Sequence, residues 1–239
     1  MSGHSKWATT KRAKAIVDAK RGAAFTKIAN MISIAARKGA DPSMNFALAQ
    51  AIERGRSVNM PKDNIERAIK RGAGGEGGAQ LEELLYEGFG PAQSQFVIKV
   101  VTDSRNRAAA NIRHHFTKYG GSMGAVIWNF EMKGVILVAE SVWEDSKLSW
   151  DDFMLEAIDN GADDMKHEAD GIIIYTKSED LIKTKHWLET KKLTAESAEI
   201  EYVAKEKLKL SEEEKAKVET FIDTLEEDED VSDYFSNIE

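Results

Sequence analysis

The sequence predicts an α+β multi-domain protein: an all-helical N-terminal domain followed by two α/β sandwich domains, one inserted into the other. Three observations predict it. Apolar residues recur at helical spacing as far as Arg71. Five glycines then fall within the seven residues Gly72–Gly78. Beyond them, strand and helix patterns alternate to the end of the chain.

The first module reads as four helices. Lys11–Arg21 is the first, closed by Gly22. Ala23–Lys38 is the second, with Phe25, Ile28, Ala29 and Ile32 on one stripe and Gly39 just past its end. The third starts at Asp41-Pro42 or at Asn45 and carries Phe46, Leu48, Ala51 and Ile52. In the fourth, Pro61 suits the first helical position, Asp63/Arg67 and Glu66/Lys70 are spaced as i,i+4 pairs, and Gly72 ends the pattern. Gly72, Gly74 and Gly77 match a dinucleotide fingerprint in letters only. That motif follows a strand and opens a helix, whereas this one follows a helix, so a linker is expected.

In the body, LYEGFGP and QFVIKVVTD read as strands. Asp103 or Ser104 then caps a helix with Ala109, Ile112 and Phe116 on its apolar face. FEMKGVILVAE is two short strands, or one with a turn at Lys133-Gly134. A helix over Trp150–Asn160 ends at Gly161, and a hairpin turns at Asp170-Gly171. Ser178 opens another helix, and AEIEYVAKE is a strand. Ser211-x-x-Glu214 is a capping box before Val218, Phe221, Ile222 and Leu225, and DVSDYFSNIE closes as a strand. The middle stretch therefore has the βαββαβ order of a ferredoxin-like sandwich. The stretch before it lacks a second helix, which the C-terminal helix and strand would supply. The expected domains are 1-78, helical and basic; 79-132 plus 206-239, split; and 133-205, inserted.

Composition narrows the function. The chain has 239 residues, 42% apolar and 31% charged. It holds no cysteine, which excludes disulfide scaffolds and cysteine-ligated metal centres. No apolar run approaches the roughly 20 residues of a membrane span. A cytoplasmic protein is expected. The five histidines show no metal-ligand spacing, and no P-loop or nucleophile elbow occurs. No enzyme, cofactor or metal is expected.

Charge is the informative feature. Residues 1–78 hold 15 Lys/Arg and 6 Asp/Glu, a net of +9, while residues 79–239 hold 18 and 35, a net of −17. A basic module on an acidic body is the pattern of a chain whose one end meets phosphate. The candidate contacts are His4, Lys6, Trp7, Lys11, Arg12, Lys14, Lys20, Arg21, Lys27, Arg37 and Lys38. Trp7 could stack on a base or pack on the first helix. A second patch is TDSRNR, where Arg105 and Arg107 sit in the first turn of a helix. There they meet an anion with side chains and free amides, or stand solvated behind a capping Asp103.

Several stretches resemble the YebC family, which includes the mitochondrial translational activator of cytochrome c oxidase. They are MSGHSKW, DAKRG, AARKGADP, NMPKDNIERAIKRG, YEGFGP, TDSRNR, IRHHF and KYGG, spread from Met1 to Gly121. The first 38 residues are also basic and carry Asp18 as their one acid, as a mitochondrial transit peptide would. A likeness that begins at Met1 argues against that reading. The resemblance implies a helical domain and two α/β domains, one inserted in the other, without enzymatic activity or cofactor. It also implies one of two roles: a ribosome-associated factor that eases translation through stretches such as consecutive prolines, or a DNA-binding transcriptional regulator. The chain departs from the family pattern at Thr10–Lys14, at Ala23, around Ala47 and Ala49, at Ala92-Gln93, and in a shortened loop after Gly121. The expected partner is nucleic acid, ribosomal RNA or DNA, with the ribosome foremost. No membrane is expected, and a monomer is plausible.

Overall fold

The computed structural model describes residues 21–74 and 81–239. Two compact units are present. One comprises the described residues up to Trp128 together with Glu206–Glu239, and the other is Asn129–Lys205.

The first unit opens with three helices: α1 (Arg21–Ala36), α2 (Phe46–Ser57) and α3 (Lys62–Gly72). Ile28 and Ile32 of the predicted stripe are buried against Leu48, Ile52 and Ile65, with Phe25 and Ala29 at the margin. Gly22 does not close a helix, because it lies within α1. A glycine there costs only about 1 kcal/mol relative to alanine, too little to break a helix with a packed face. The rest of the predicted Lys11–Arg21 helix lies outside the described residues. Asn45 is the cap of α2. Its Oδ1 accepts from the Leu48 amide at 3.2 Å, while Nδ2 donates to the carbonyls of Ala35 and Gly39. Pro61 is the N-cap of α3, one position before the predicted one.

Gly72 is the last residue of α3, and it has a packing role. A Cβ there would sit 2.1 Å from the backbone oxygen of Ser33, so α3 crosses α1 at a distance that only glycine allows. The remainder of the predicted linker, residues 75–80, is outside the described residues.

The rest of this unit is a four-stranded antiparallel sheet of β1 (Glu82–Phe89), β2 (Gln95–Thr102), β3 (Ser122–Met123) and β8 (Val231–Ser236), in the order β3-β1-β2-β8. The closing strand β8 thus pairs with β2, with Phe96 opposite Ser236 and Ile98 opposite Tyr234. Helices α4 (Arg105–Lys118) and α8 (Glu212–Glu227) cover one face. Phe96, Ile98 and Val100 meet Ala108, Ile112 and Phe116 of α4 and Val218, Phe221, Ile222 and Leu225 of α8 there. Ala108, rather than Ala109, completes the apolar face of α4. Val97 and Val101 point the other way, by the two-residue period of a strand, and are also buried. Helix α1 contacts β2 and β8. The capping box holds: Ser211 Oγ accepts from the Glu214 amide while the Glu214 carboxylate accepts from the Ser211 amide.

The second unit contains β4 (Phe130–Ala139), α5 (Glu140–Ser146), α6 (Trp150–Asp159), β5 (Ala162–Glu168), β6 (Gly171–Lys177), α7 (Leu181–Thr190) and β7 (Ser197–Ala204). Its sheet is antiparallel in the order β5-β6-β4-β7. β4 is one continuous strand, so no turn forms at Lys133-Gly134. Gly134 is needed for room instead, since a Cβ there would lie 2.2 Å from Thr176 Oγ1. The hairpin loop is Ala169-Asp170, with Glu168 paired to Gly171, one residue before the predicted turn. Asp180 precedes α7, and Ser178 Oγ instead donates to the Met132 carbonyl.

Candidate nucleic-acid interface

His4, Lys6, Trp7, Lys11, Arg12, Lys14 and Lys20 lie outside the described residues, and Arg21 opens α1. The remaining candidates divide by what holds them. Lys27 Nζ donates to the Glu226 carbonyl at 2.7 Å, at the C-terminal turn of α8. Burial lowers the Lys27 ammonium from its ordinary value, against the opposing pull of Asp228, Glu226 and Asp233. Arg54, on α2, makes a 2.9 Å ion pair with Asp233 of β8. Arg37 donates to the Leu81 carbonyl at 2.6 Å. These three cations hold the helices against the sheet. Lys38 is exposed.

The TDSRNR segment is a strand end feeding a helix, as the sequence predicts, but carboxylates crowd it. Arg107 Nη2 lies 2.8 Å from Asp103 and 2.9 Å from Asp230, and Nε reaches the second Asp230 oxygen at 3.2 Å. Hydrogen bonds donated to Asp230 and Asp103 push the Arg107 guanidinium above its ordinary range. Arg105 pairs with Glu82 at 2.9 Å. Ser104 makes no side-chain cap, and its amide donates to Thr102 Oγ1. Arg107, Asp103, Glu229 and Asp230 line a cleft that Arg71 also borders, and three of these five side chains are acids. An incoming anion would meet those carboxylates beside the arginines.

The sequence reading missed a cleaner set of cations. Arg67 and Arg71 stand one turn apart on α3 and, among the described residues, pair with no carboxylate. Arg67 donates to the Asp63 backbone oxygen and to the Asn64 side chain, not to the Asp63 carboxylate. Glu66, the other predicted pairing residue, binds Lys62 at 3.4 Å and so leaves Lys70 exposed. Arg71 Nε donates to Ser33 Oγ at 2.9 Å, and Nη2 donates to Asn30 Oδ1 at 2.9 Å and the Ala29 carbonyl at 3.2 Å. Partial burial lowers the Arg71 guanidinium from its ordinary value, and no countercharge among the described residues offsets it. The sequence signal was the run Arg67-x-x-Lys70-Arg71, in which i,i+4 pairing rules assigned Arg67 and Lys70 to salt bridges and left Arg71 unremarked.

His115 and Asp228 form a second polar pair, 2.8 Å apart and largely enclosed. Burial raises the Asp228 carboxyl, but the His115 hydrogen bond, the Asp230 amide and the nearby His115 and Lys27 charges outweigh it, so the net shift is downward. Among the described residues no three His, Asp or Glu groups come together to hold a metal, and no helix is long and apolar enough to cross a membrane. Arg67 and Arg71 of α3 offer fixed positive charge, suited to binding an anion.

Comparison with known proteins identifies a family and a similar fold. Residues 5–75 match the family model described as TACO1/YebC protein N-terminal domain, and residues 81–238 match TACO1/YebC second and third domain. A protein of Desulforamulus reducens, described as a probable transcriptional regulatory protein, is 43% identical over 100% of this chain and 99% of its own length. One from Dehalococcoides mccartyi with the same description is 45% identical over 99% and 94%. The crystal structure of a conserved hypothetical protein from Aquifex aeolicus superposes with a TM-score of 0.80 at 38% identity, covering 93% of this chain and 92% of that one. With both family models matched in order across most of its length, the chain belongs to the TACO1/YebC family.

Proposed function

We propose that this protein is a non-enzymatic regulator of gene expression that docks its basic helical domain on RNA at the ribosome and acts in the cytoplasm. The observation that carries the reading is the charge partition, +9 in residues 1–78 against −17 in residues 79–239. Cations with no carboxylate partner among the described residues, Lys38, Arg67, Lys70 and Arg71, support it. Exposed, unneutralised Lys and Arg gain most from phosphate, because each contact releases a condensed counterion. The acidic body disfavours free duplex DNA over a Debye length of about 8 Å, while a ribosomal pocket can accept the basic end alone.

A second reading, a DNA-binding transcriptional regulator using the same surface, is favoured by the description its relatives carry. Phosphate contacts alone do not distinguish the two. The test is sedimentation of tagged protein from cells after mild nuclease treatment. Migration with ribosomes supports the first reading, and migration with chromosomal DNA supports the second.

A further inference from the structure

We infer that the cleft between α1 and α3 seats the phosphodiester backbone of a nucleic-acid strand, with Arg71 as its fixed contact and Arg67 as its outer one. This rests on the reading that the helical domain binds nucleic acid, and it names a place where it does so. The cleft has a volume of about 200 Å³ and is lined by Ala29, Asn64, Arg67, Ala68 and Arg71. It is a small opening with two guanidinium groups, one amide and two methyl groups, and no acid among the described residues lines it. The neighbouring cleft shares Arg71 but includes Asp103, Glu229 and Asp230. An anion is therefore directed to the first cleft.

Arg71 is held ready. A guanidinium has five N–H donors. Three are spent on Ser33 Oγ, the Ala29 carbonyl and Asn30 Oδ1, all uncharged acceptors. These bonds fix the guanidinium plane without neutralising it and, among the described residues, leave the two Nη1 hydrogens for a ligand. Ser33 Oγ is itself buried, within bonding distance of the Ala29 and Ala68 carbonyls, so the support is part of the core. Arg67 lies one turn away and spends two donors, on the Asp63 carbonyl and the Asn64 amide oxygen. Its Cα is displaced about 6 Å along the helix axis from that of Arg71. Successive phosphates of a strand are spaced on that scale. Ala29 and Ala68 keep the floor low enough for a phosphate oxygen to approach. Preorganised arginines lose little freedom on binding, and guanidinium matches phosphate geometry with two parallel bonds.

The experiment uses the full chain and two fluorescent 20-nucleotide probes of one sequence, single-stranded RNA and single-stranded DNA. Binding is read by anisotropy from low to moderate salt. The variants are Arg67→Ala, Arg67→Ala with Arg71→Gln, and Lys62→Ala, which removes the same single charge as Arg67→Ala from the same helix, at a residue paired with Glu66. Each lost phosphate contact flattens the slope of log K against log salt by about 0.7 on a single strand, so the double variant should lose about 1.4. Its affinity deficit should then shrink about sevenfold between 50 and 200 mM salt. Arg67→Ala should lose about half the slope change, and Lys62→Ala almost none. Arg67 is exposed and Arg71 supports packing, so Arg67→Ala keeps the test valid if the double variant unfolds. A wild type that binds while Arg67→Ala and a folded double variant keep its affinity and slope overturns the seat and leaves the broader reading standing. A wild type that binds neither probe overturns the reading, and the seat with it. RNA preferred over DNA in the wild type, with that preference unchanged in the variants, fits a contact to the shared backbone.

Discussion

The Lys27 ammonium, on the first described helix, donates to the carbonyl oxygen of Glu226 at 2.7 Å, across 199 residues of sequence. The contact places a cation at the C-terminal turn of α8, where the helix dipole is negative and carbonyls lack intrahelical partners. With Arg54–Asp233 it ties the helices to the β8 side of the sheet. Replacing Lys27 by Met keeps the apolar stem and removes the donor. We expect a loss of about 1–3 kcal/mol, the usual cost of an unsatisfied charged hydrogen bond. A urea titration followed by circular dichroism measures it. Nucleic-acid affinity should change little once the variant is folded.

Asp228 links the same region to pH. Its carboxyl is buried yet lowered overall, with His115 as the main favourable partner. A carboxyl whose folded value is below its unfolded value contributes stability that is full above the unfolded value and lost as pH falls through the folded one. The wild type should therefore lose stability from about pH 4 downward more steeply than Asp228→Asn, which should start less stable at neutral pH. Equal slopes of urea midpoint against pH below about 4 would count against the pairing.

Much of the local structure was legible because its causes are local. Ser211 and Glu214 sit three residues apart and cap each other's backbone, so the motif could be read directly. Asn45 and Gly161 are similar cases. The misreadings have another source. Gly134 and Gly72 look like turn and linker residues, yet each is required by a neighbour distant in sequence, Thr176 and Ser33 respectively. The α4 face was shifted by one residue, because Ala108 and Ala109 are chemically alike and only the sheet decides between them. The cations were hardest. Whether Lys27, Arg54 or Arg107 is free depends on Glu226, Asp233 and Asp230, all supplied by the last 14 residues.

Gly72→Ala tests the close crossing of α1 and α3. The added Cβ would meet the Ser33 oxygen at 2.1 Å and Ala36 Cβ at 2.8 Å, so the helices must part. Overpacking of this kind costs about 1–3 kcal/mol. A flexible linker residue would instead gain slightly from the substitution. The sign of the change in thermal midpoint distinguishes the two.

Ala92 and Gln93 adopt φ of 56° and 59°, in the left-handed region that favours glycine. A side chain there costs about 1–2 kcal/mol. Ala92→Gly and Gln93→Gly should each stabilise the fold by up to about 1 kcal/mol, since glycine also loosens the unfolded chain. Differential scanning calorimetry should show a rise for each variant. A fall would mean that these side chains make contacts worth more than the strain.

The C-terminal helix belongs to the first sheet. Phe221 of α8 lies 5.0 Å from Phe96, 5.3 Å from Phe116 and 5.8 Å from Tyr119, ring centre to ring centre. Phe221→Ala should cost about 3–5 kcal/mol. Hydrogen exchange should quicken in β1, β2 and α4 while the β4–β7 sheet keeps its protection. Uniform loosening of both sheets would show that the domain boundaries proposed here do not separate independent folding units.

The central claim is that the front-loaded positive charge binds phosphate, and salt dependence tests it most directly. The measurement compares nucleic-acid and ribosome binding of the wild type with a variant carrying Lys11→Ala, Arg12→Ala and Lys14→Ala. A second variant, with Lys205, Lys207 and Lys209 changed to Ala, removes equal charge from the acidic body. Three lost phosphate contacts should weaken binding and flatten the slope of log K against log salt by about two to three units. The body variant should bind with an unchanged slope. An N-terminal variant that binds like the wild type, with the same slope, would contradict the account.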